Sequence, residues 1–175
     1  MRVSILASGS SGNITLLETG RTRLLVDAGL GKRETLARLA AVERTVEHID
    51  GILITHEHTD HCNGLPQMLG IWKPPLYVTE PTMDAMKRIL PETFGKRLRR
   101  VETIQPGQHF TVKLQQVLVV VEEQEFVAGG HIWCHMNFRD KYKPFTVGIA
   151  SQLKIYRRVG LCVRQSAKGI ECLVD

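Results

Sequence analysis

Short apolar runs, separated by small and polar residues, set the rhythm of the first 112 positions. Val3 to Ala7 and Ile14 to Glu18 are β-rich runs on either side of Ser8-Gly9-Ser10-Ser11-Gly12-Asn13, a small-residue loop able to adopt unusual backbone angles. After a turn at Gly20, Thr22 to Val26 reads as a third strand closing at Asp27-Ala28-Gly29. Lys32 to Ala41 carries helical spacing through Leu36, Leu39 and Ala40, and Gly51 to Thr55 is a strand of the fully buried type. Cys62 to Leu69 reads as a short helix, and Leu76 to Val78 as a strand following the Pro74-Pro75 break. Thr82 is placed to cap a helix with Asp84 in its first turn, which runs to Leu90 and stops before Pro91.

Pro106-Gly107 marks a turn, and beyond Val112 the pattern thins. Val117 to Val121 is a clear apolar strand, but Glu122 to Phe145 has neither a clean period nor recognisable turn chemistry. Val147 to Ala150 is strand-like, Tyr156 to Ser166 reads as a basic helix and Cys172 to Val174 as a last strand. Short strands and helices in alternation predict an α/β domain, with enough strand for two sheets and helices to cover their outer faces.

Composition narrows this picture. A chain of 175 residues suits a single domain spanning 1–175. No apolar run approaches the roughly 18–20 residues of a membrane span. The opening Met1 to Ala7 turns polar at Ser8, too soon for a signal-peptide core, so a cytoplasmic location is expected. Cys62, Cys134, Cys162 and Cys172 form no C-x-x-C pair, which argues for free thiols over a zinc ribbon or disulfide scaffold. Lys and Arg exceed Asp and Glu by 23 to 18, and the resulting charge of +5 permits a polyanionic partner without demonstrating one. The runs Lys96-Arg97-Leu98-Arg99-Arg100 and Arg157-Arg158, with Arg164 and Lys168, read as solvated faces sooner than as phosphate contacts.

One hexapeptide carries chemistry: His56-Glu57-His58-Thr59-Asp60-His61, directly after the apolar strand. Three of the seven histidines lie in it, and chance would produce the H-x-H-x-D-H pattern in roughly 4 of 10,000 chains of this composition. A loop leaving a strand end can aim the alternating His56 and His58 at one cation, while the following tight turn directs Asp60 and His61 to a second position. Imidazole and carboxylate suit zinc, manganese or iron, and two such ions about 3.5–4 Å apart generate a nucleophile at neutral pH. Cys62, next to His61, reads as a packing residue opening the helix. Met68, Trp72 and Trp133 read as core or rim.

This loop resembles the signature of the metallo-β-lactamase superfamily of hydrolases. The blocks Ala7 to Asn13, Leu25 to Gly29, Ile54 to His61 and Tyr77 to Glu80 further resemble its YycJ/WalJ-type subgroup, associated with DNA exonuclease activity. The resemblance is clear over residues 1–112 and weak over 113–175. It implies an αββα four-layer sandwich, incomplete at its C-terminal end, and two divalent ions, zinc or manganese. His56 and His58 would hold the first ion, and Asp60 and His61 the second, with Asp60 also counted catalytic. Asp27 would orient the loop by hydrogen bonds, although a strand-terminal turn would carry the same residue. Ser8, Ser10, Ser11 and Asn13 would form a phosphate-contact loop, or a plain tight turn.

Three further ligands are expected of the family: a third histidine, a bridging aspartate and a late histidine. His131 or His135 is the candidate for the third histidine, though neither is followed by the usual Asp. Where the subgroup tends to read Thr-Asp after a strand like Val147 to Ala150, this chain has Ser151-Gln152, and it ends at Asp175 before a late histidine. The expectation is therefore a metal-dependent phosphodiesterase acting on DNA, of reduced activity, with as few as one ion retained and a tendency to self-associate. The alternatives are a thioester or lactone hydrolase on the same site, and a non-catalytic metal- or nucleic-acid-binding remnant.

Overall fold

In the computed structural model, residues 2–19, 22–96, 98, 100–105, 109–112, 115–122, 133–140, 143–149, 162–166 and 169–173 are described. The strands are β1 (Arg2–Ala7), β2 (Ile14–Glu18), β3 (Arg23–Val26), β4 (Gly51–Leu53), β5 (Leu76–Val78), β6 (Val101–Thr103), β7 (His109–Val112), β8 (Gln115–Glu122), β9 (Trp133–Asp140), β10 (Lys143–Ile149), β11 (Cys162–Ser166) and β12 (Gly169–Leu173). The helices are α1 (Lys32–Ala41), α2 (Thr59–Cys62), α3 (Leu65–Trp72), α4 (Glu80–Ile89) and α5 (Pro91–Lys96). Eight strands form one mixed sheet in the order β11-β12-β1-β2-β3-β4-β5-β6, and four form an antiparallel sheet in the order β10-β9-β8-β7. No helix of the described residues is long and apolar enough to cross a membrane.

The larger sheet changes character at β3. From β11 to β3 each pairing is antiparallel; from β3 to β6 each is parallel and joined through helices. Parallel strands are covered on both faces and so read as unbroken apolar runs. Leu24, Leu25 and Val26 of β3, Ile52 and Leu53 of β4, and Leu76 and Val78 of β5 are all buried accordingly. One core gathers β-strand residues such as Leu16, Leu25 and Ile52 with Leu65, Met68 and Leu69 from successive turns of α3 and Met86 of α4. Parallel register, with Val26 opposite Leu53, also sets the carboxyl ends of β3 and β4 side by side. The segments that leave Val26 and Leu53 must meet there.

Most expected elements form, with instructive differences. The strand expected over Gly51 to Thr55 ends at Leu53, because Thr55 already turns toward Asp27. The single helix expected over Cys62 to Leu69 is two: the one-turn α2, then α3 after a break at Asn63-Gly64. Helix α4 begins at Glu80 behind Thr79, with Pro81 in its first turn, so Thr82 is a buried helical residue and not the cap. Pro91 does end α4, but it also opens α5. In α1 the buried stripe is Thr35 and Leu39, while Leu36, expected inside, is exposed. Met68 is core as expected, and Trp72 is half-buried with its indole N–H donating to the Val46 carbonyl at 3.2 Å.

The C-terminal half departs furthest. The stretch Glu122 to Phe145, expected to lack a clean period, contains β9, where Cys134, Met136 and Phe138 in fact alternate with His135, Asn137 and Arg139, and the start of β10; the last strand is Gly169–Leu173. Cys162 to Ser166, expected to close a basic helix, is strand β11, where Val163 pairs opposite Cys172. The turn at Pro106-Gly107 and residues 156–161 lie outside the described residues.

Two glycines mark where the chain comes closest to itself. A Cβ on Gly29 would fall on the Asp60 carbonyl oxygen, and one on Gly64 on the Leu30 carbonyl oxygen. Neither obstacle is a flexible side-chain tip, so backbone would have to move. We predict that Gly64→Ala lowers unfolding free energy by about 3 kcal/mol, read as a lower urea midpoint at unchanged slope. A variant unfolding at the wild-type midpoint would show that the two segments are not in contact.

Candidate metal centre

The histidine loop is built where β3 and β4 end together. Asp27 continues the ladder, its N–H donating to the Leu53 carbonyl at 2.8 Å, and then turns sharply with φ +62°. Few side chains tolerate that left-handed conformation, but Asp is among them. The turn brings its carboxylate back across β4. Its Oδ1 accepts the Thr55 N–H at 2.9 Å, and the Thr55 hydroxyl lies 2.9 and 3.0 Å from the two carboxylate oxygens.

Beyond Thr55 the chain passes through His56 and Glu57 to His58, which opens α2. A helix of one turn cannot satisfy its own terminal carbonyls. Here neighbouring loops do so: Asn13 N–H donates to the Asp60 carbonyl and Ala28 N–H to the His61 carbonyl, both at 2.7 Å. Gly64 N–H in turn donates to the Ala28 carbonyl at 2.7 Å, and Gly29 N–H to the Asn13 carbonyl at 3.0 Å. Loops 8–13, 27–29 and 56–64 are thereby stitched into one unit.

Three imidazoles meet in that unit. The rings of His56 and His58 lie edge to face with centroids 4.7 Å apart, and those of His56 and His61 are 3.9 Å apart. His56 and His61 are buried, His58 is exposed, and the Asp60 side chain is partly exposed. Asp27, only 2% exposed, accepts from His61 Nδ1 at 2.7 Å. A carboxylate can only accept, so the neutral His61 ring carries its proton on Nδ1 and its lone pair on Nε2. The Thr55 hydroxyl gives its one proton to Asp27 and is left to accept from His56 Nδ1 at 3.0 Å, which frees Nε2 of His56 as well.

Electrostatics divides the two buried rings. Burial first, then the neighbouring His61, holds His56 below the ordinary histidine pKa, which keeps it neutral and able to ligate. Burial also pulls His61 down, but the hydrogen bond and charge of Asp27, with the charge of Asp60, outweigh it and raise this ring. Burial, reinforced by Asp27, Glu57 and Asp60, pushes the Cys62 thiol up to about 11. Cys62 is fully buried and its Sγ lies 3.1 Å from the Glu57 carbonyl, the packing role expected of it.

The donor set fits a divalent cation in its chemistry. Two buried imidazoles present unprotonated Nε2 atoms, each ring fixed through Nδ1 by a hydrogen-bond partner and that of His61 accepting from Asn13 Nδ2, beside the exposed His58 and the Asp60 carboxylate. Among the described residues, no group of three His, Cys, Asp or Glu side chains is placed to hold an ion on its own. His131 lies outside the described residues; His135 stands in β9 at the register position opposite Gly148 and Val120. Ser151 and Gln152 are also outside them.

The small-residue loop divides in two. Ser8, Ser10 and Ser11 are exposed beside the histidine loop, but Asn13 is not available to a phosphate. It is buried, and its carboxamide points inward to Asp60 and His61. Of the basic residues, Arg100 pairs with Glu102, Arg164 lies in β11, and Arg97, Arg99, Arg157, Arg158 and Lys168 lie outside the described residues. Thr55 is a part of the site that sequence reasoning passed over; its signal was a hydroxyl closing an apolar strand one residue before the first histidine.

Replacing Asp27 tests this construction. Its contact raises His61, so the stability it adds is fully present below the unfolded histidine pKa and is lost as pH rises through the folded value. Asp27→Asn should lower the His61 titration midpoint, followed by NMR of the ring protons in ion-free protein. It should also cost about 3 kcal/mol, since it breaks one half of a buried pair, with a larger deficit near pH 6 than near pH 8. An unmoved His61 midpoint would remove Asp27 from this role.

The sequence profile of the metallo-beta-lactamase superfamily matches residues 7–139. The chain is 48% identical over 86 residues to Exodeoxyribonuclease WalJ of Streptococcus pneumoniae serotype 2, a match covering 49% of this chain and 32% of that protein. It is 40% identical over 90 residues to Exodeoxyribonuclease YycJ of Bacillus anthracis, covering 51% and 34% respectively. The match thus spans about a third of the length of these curated relatives. Among solved structures, the Rm3 metallo-beta-lactamase superimposes with a TM-score of 0.61 over 95% of this chain and 67% of its own, at 16% identity, a likeness of fold alone.

Proposed function

The chain belongs to the metallo-β-lactamase superfamily, and on that premise we propose that it is a metal-dependent hydrolase of phosphodiester bonds in nucleic acid, acting on DNA ends. The resemblance to the YycJ/WalJ-type subgroup and the four-layer αββα fold class agree with its relatives and structural neighbours. One observation carries the functional reading. The buried Asp27 fixes His61 at 2.7 Å within the loop that also bears His56, His58 and Asp60, an arrangement that serves metal ligation and that simple packing does not require.

In this reading His56 and His58 hold one ion and Asp60 and His61 a second, zinc or manganese, with a third histidine from His131 or His135. Bound ions would activate a water molecule and offset the charge on the phosphate. Asp27 and Thr55 keep the two buried rings in the tautomer that leaves Nε2 unprotonated. Asp60 sets a carboxylate beside His61, its Oδ2 3.4 Å from Nε2. The exposed hydroxyls of Ser8, Ser10 and Ser11 are placed to donate to phosphate oxygens. The preference for DNA is supported by the names of the two exodeoxyribonuclease relatives and by the net charge of +5.

Metal analysis and a nuclease assay test the proposal together. Wild-type protein should retain zinc or manganese through dialysis, and His56→Ala with His58→Ala should lose at least one ion per chain. Release of nucleotides from DNA ends should fall about 100-fold in Asp60→Ala, and DNA binding should weaken steeply between about 50 and 200 mM salt. Equal turnover of a small thioester and of DNA ends would favour small-ester hydrolysis. A folded double variant with unchanged metal content would overturn the metal centre itself.

A further inference from the structure

With Asp60 and His61 read as ligands of a second ion, the reading on which this inference rests, the inward carboxamide of Asn13 sits in the position that ion would need. Four acceptors surround its Nδ2: Asp60 Oδ2 at 2.9 Å, His61 Nε2 at 3.0 Å, the Gly9 carbonyl at 3.1 Å and the Asp60 carbonyl at 3.5 Å. On the other side, Asn13 Oδ1 accepts the Gly9 N–H at 3.0 Å. An amide nitrogen has two protons, and the two shortest contacts are those to the side chains of Asp60 and His61. Because His61 gives its Nδ1 proton to Asp27, the neutral ring has one free lone pair, on Nε2. A cation bound to Nε2 needs the lone pair that now accepts from Asn13.

We propose that Asn13 is a positioning residue whose carboxamide competes with a cation for Asp60 Oδ2 and His61 Nε2 and must give up these two contacts for the cation to bind. Its carboxamide holds the Asp60 and His61 side chains together through one donor to each. It also grips Gly9 through both amide atoms, so its release transmits cation binding to the exposed Ser8, Ser10 and Ser11. Bonds made in the ion-free state alone oppose ion binding by their own free energy. Asn13 therefore trades cation affinity for order in the loops it joins.

Asn13→Ala has a signature that a merely structural role lacks. The backbone bonds of residue 13 to Asp60 and Gly29 remain, so the loop stays stitched. Zinc affinity, measured by competition with a chromophoric chelator, should rise about tenfold for the ion that Asp60→Ala loses, while the chelator-treated protein unfolds at lower urea. A structural residue would lower both. In wild-type protein the Asn13 side-chain amide should exchange slowly with solvent by NMR when ion-free, and shift and exchange faster at zinc saturation. Unchanged or weaker zinc binding by Asn13→Ala, or carboxamide signals unmoved by zinc, would overturn the proposal; if the variant fails to fold, the wild-type signals decide. Equal zinc content in wild type and Asp60→Ala would instead overturn the ligand reading beneath it, and this inference with it. An Asp60-dependent ion indifferent to Asn13 would overturn this inference alone.

Discussion

The 2.7 Å hydrogen bond from His61 to Asp27 depends on a single topological fact, the parallel pairing of β3 with β4. Had those strands run antiparallel, the residue after Val26 and the residues after Leu53 would lie at opposite ends of the sheet. Parallel pairing needs a crossover of a dozen or more residues, here the segment carrying α1, and it covers both strands on both faces. The apolar content of Leu24-Leu25-Val26 and Ile52-Leu53-Ile54 is thus part of the site's construction. It places a carboxylate and a histidine loop side by side at the edge of a dry core, where their interaction is stronger than in water.

The same arrangement asks the backbone for something uncommon. Asp27 is held at φ +62°, a conformation that costs a non-glycine residue energy. It persists because four hydrogen-bonding contacts reward it: its own N–H to Leu53, and its carboxylate with Thr55 N–H, Thr55 Oγ1 and His61. The buried charge that would otherwise be expensive is met on both oxygens. Gly29 and Gly64 then let the loops on either side close over the turn. Strain, burial and close approach thus fall within the span from Asp27 to Gly64 that also contains every residue of the histidine motif.

Much of this was legible in the sequence because the first half is governed by local signals. Continuous apolar runs predicted β3, β4 and β5, and the histidine motif is too improbable to be incidental. What local signals could not supply was direction. Nothing about Asn13 as a residue distinguishes a side chain reaching out to a phosphate from one reaching in to His61; its hydrogen bonds to Asp60 and His61 span 47 and 48 positions. Thr55 was unreadable for a similar reason, since its role exists only once Asp27 is brought beside it. The break between α2 and α3 likewise arises from the demand that Gly64 meet Ala28 and Leu30, and it is not written in the periodicity of Cys62 to Leu69.

The strands beyond Val112 show the limit from the other side. β9 reads Trp-Cys-His-Met-Asn-Phe-Arg-Asp, in which Cys134, Met136 and Phe138 alternate with His135, Asn137 and Arg139, and it pairs with β8 over seven positions and with β10 over seven more. A central strand in an antiparallel sheet depends on both neighbours to satisfy its backbone, and the six-residue alternation of β9 is the pattern such a strand carries, a signal missed over Glu122 to Phe145 for want of turn residues to frame it. Arg164 and its neighbours in β11 became a strand through the same dependence, drawn into register with β12, which itself pairs with β1. The two ends of the chain therefore meet in the larger sheet, with β1 lying between β12 and β2. The loop that leaves β1, Ser8 to Asn13, is thus anchored at one end by a strand that depends on the C-terminal pairings and at the other by the Asp60 carbonyl. Changes in the C-terminal strands can reach the histidine loop by that route, through β1 and Asn13, without touching any of the side chains that form it.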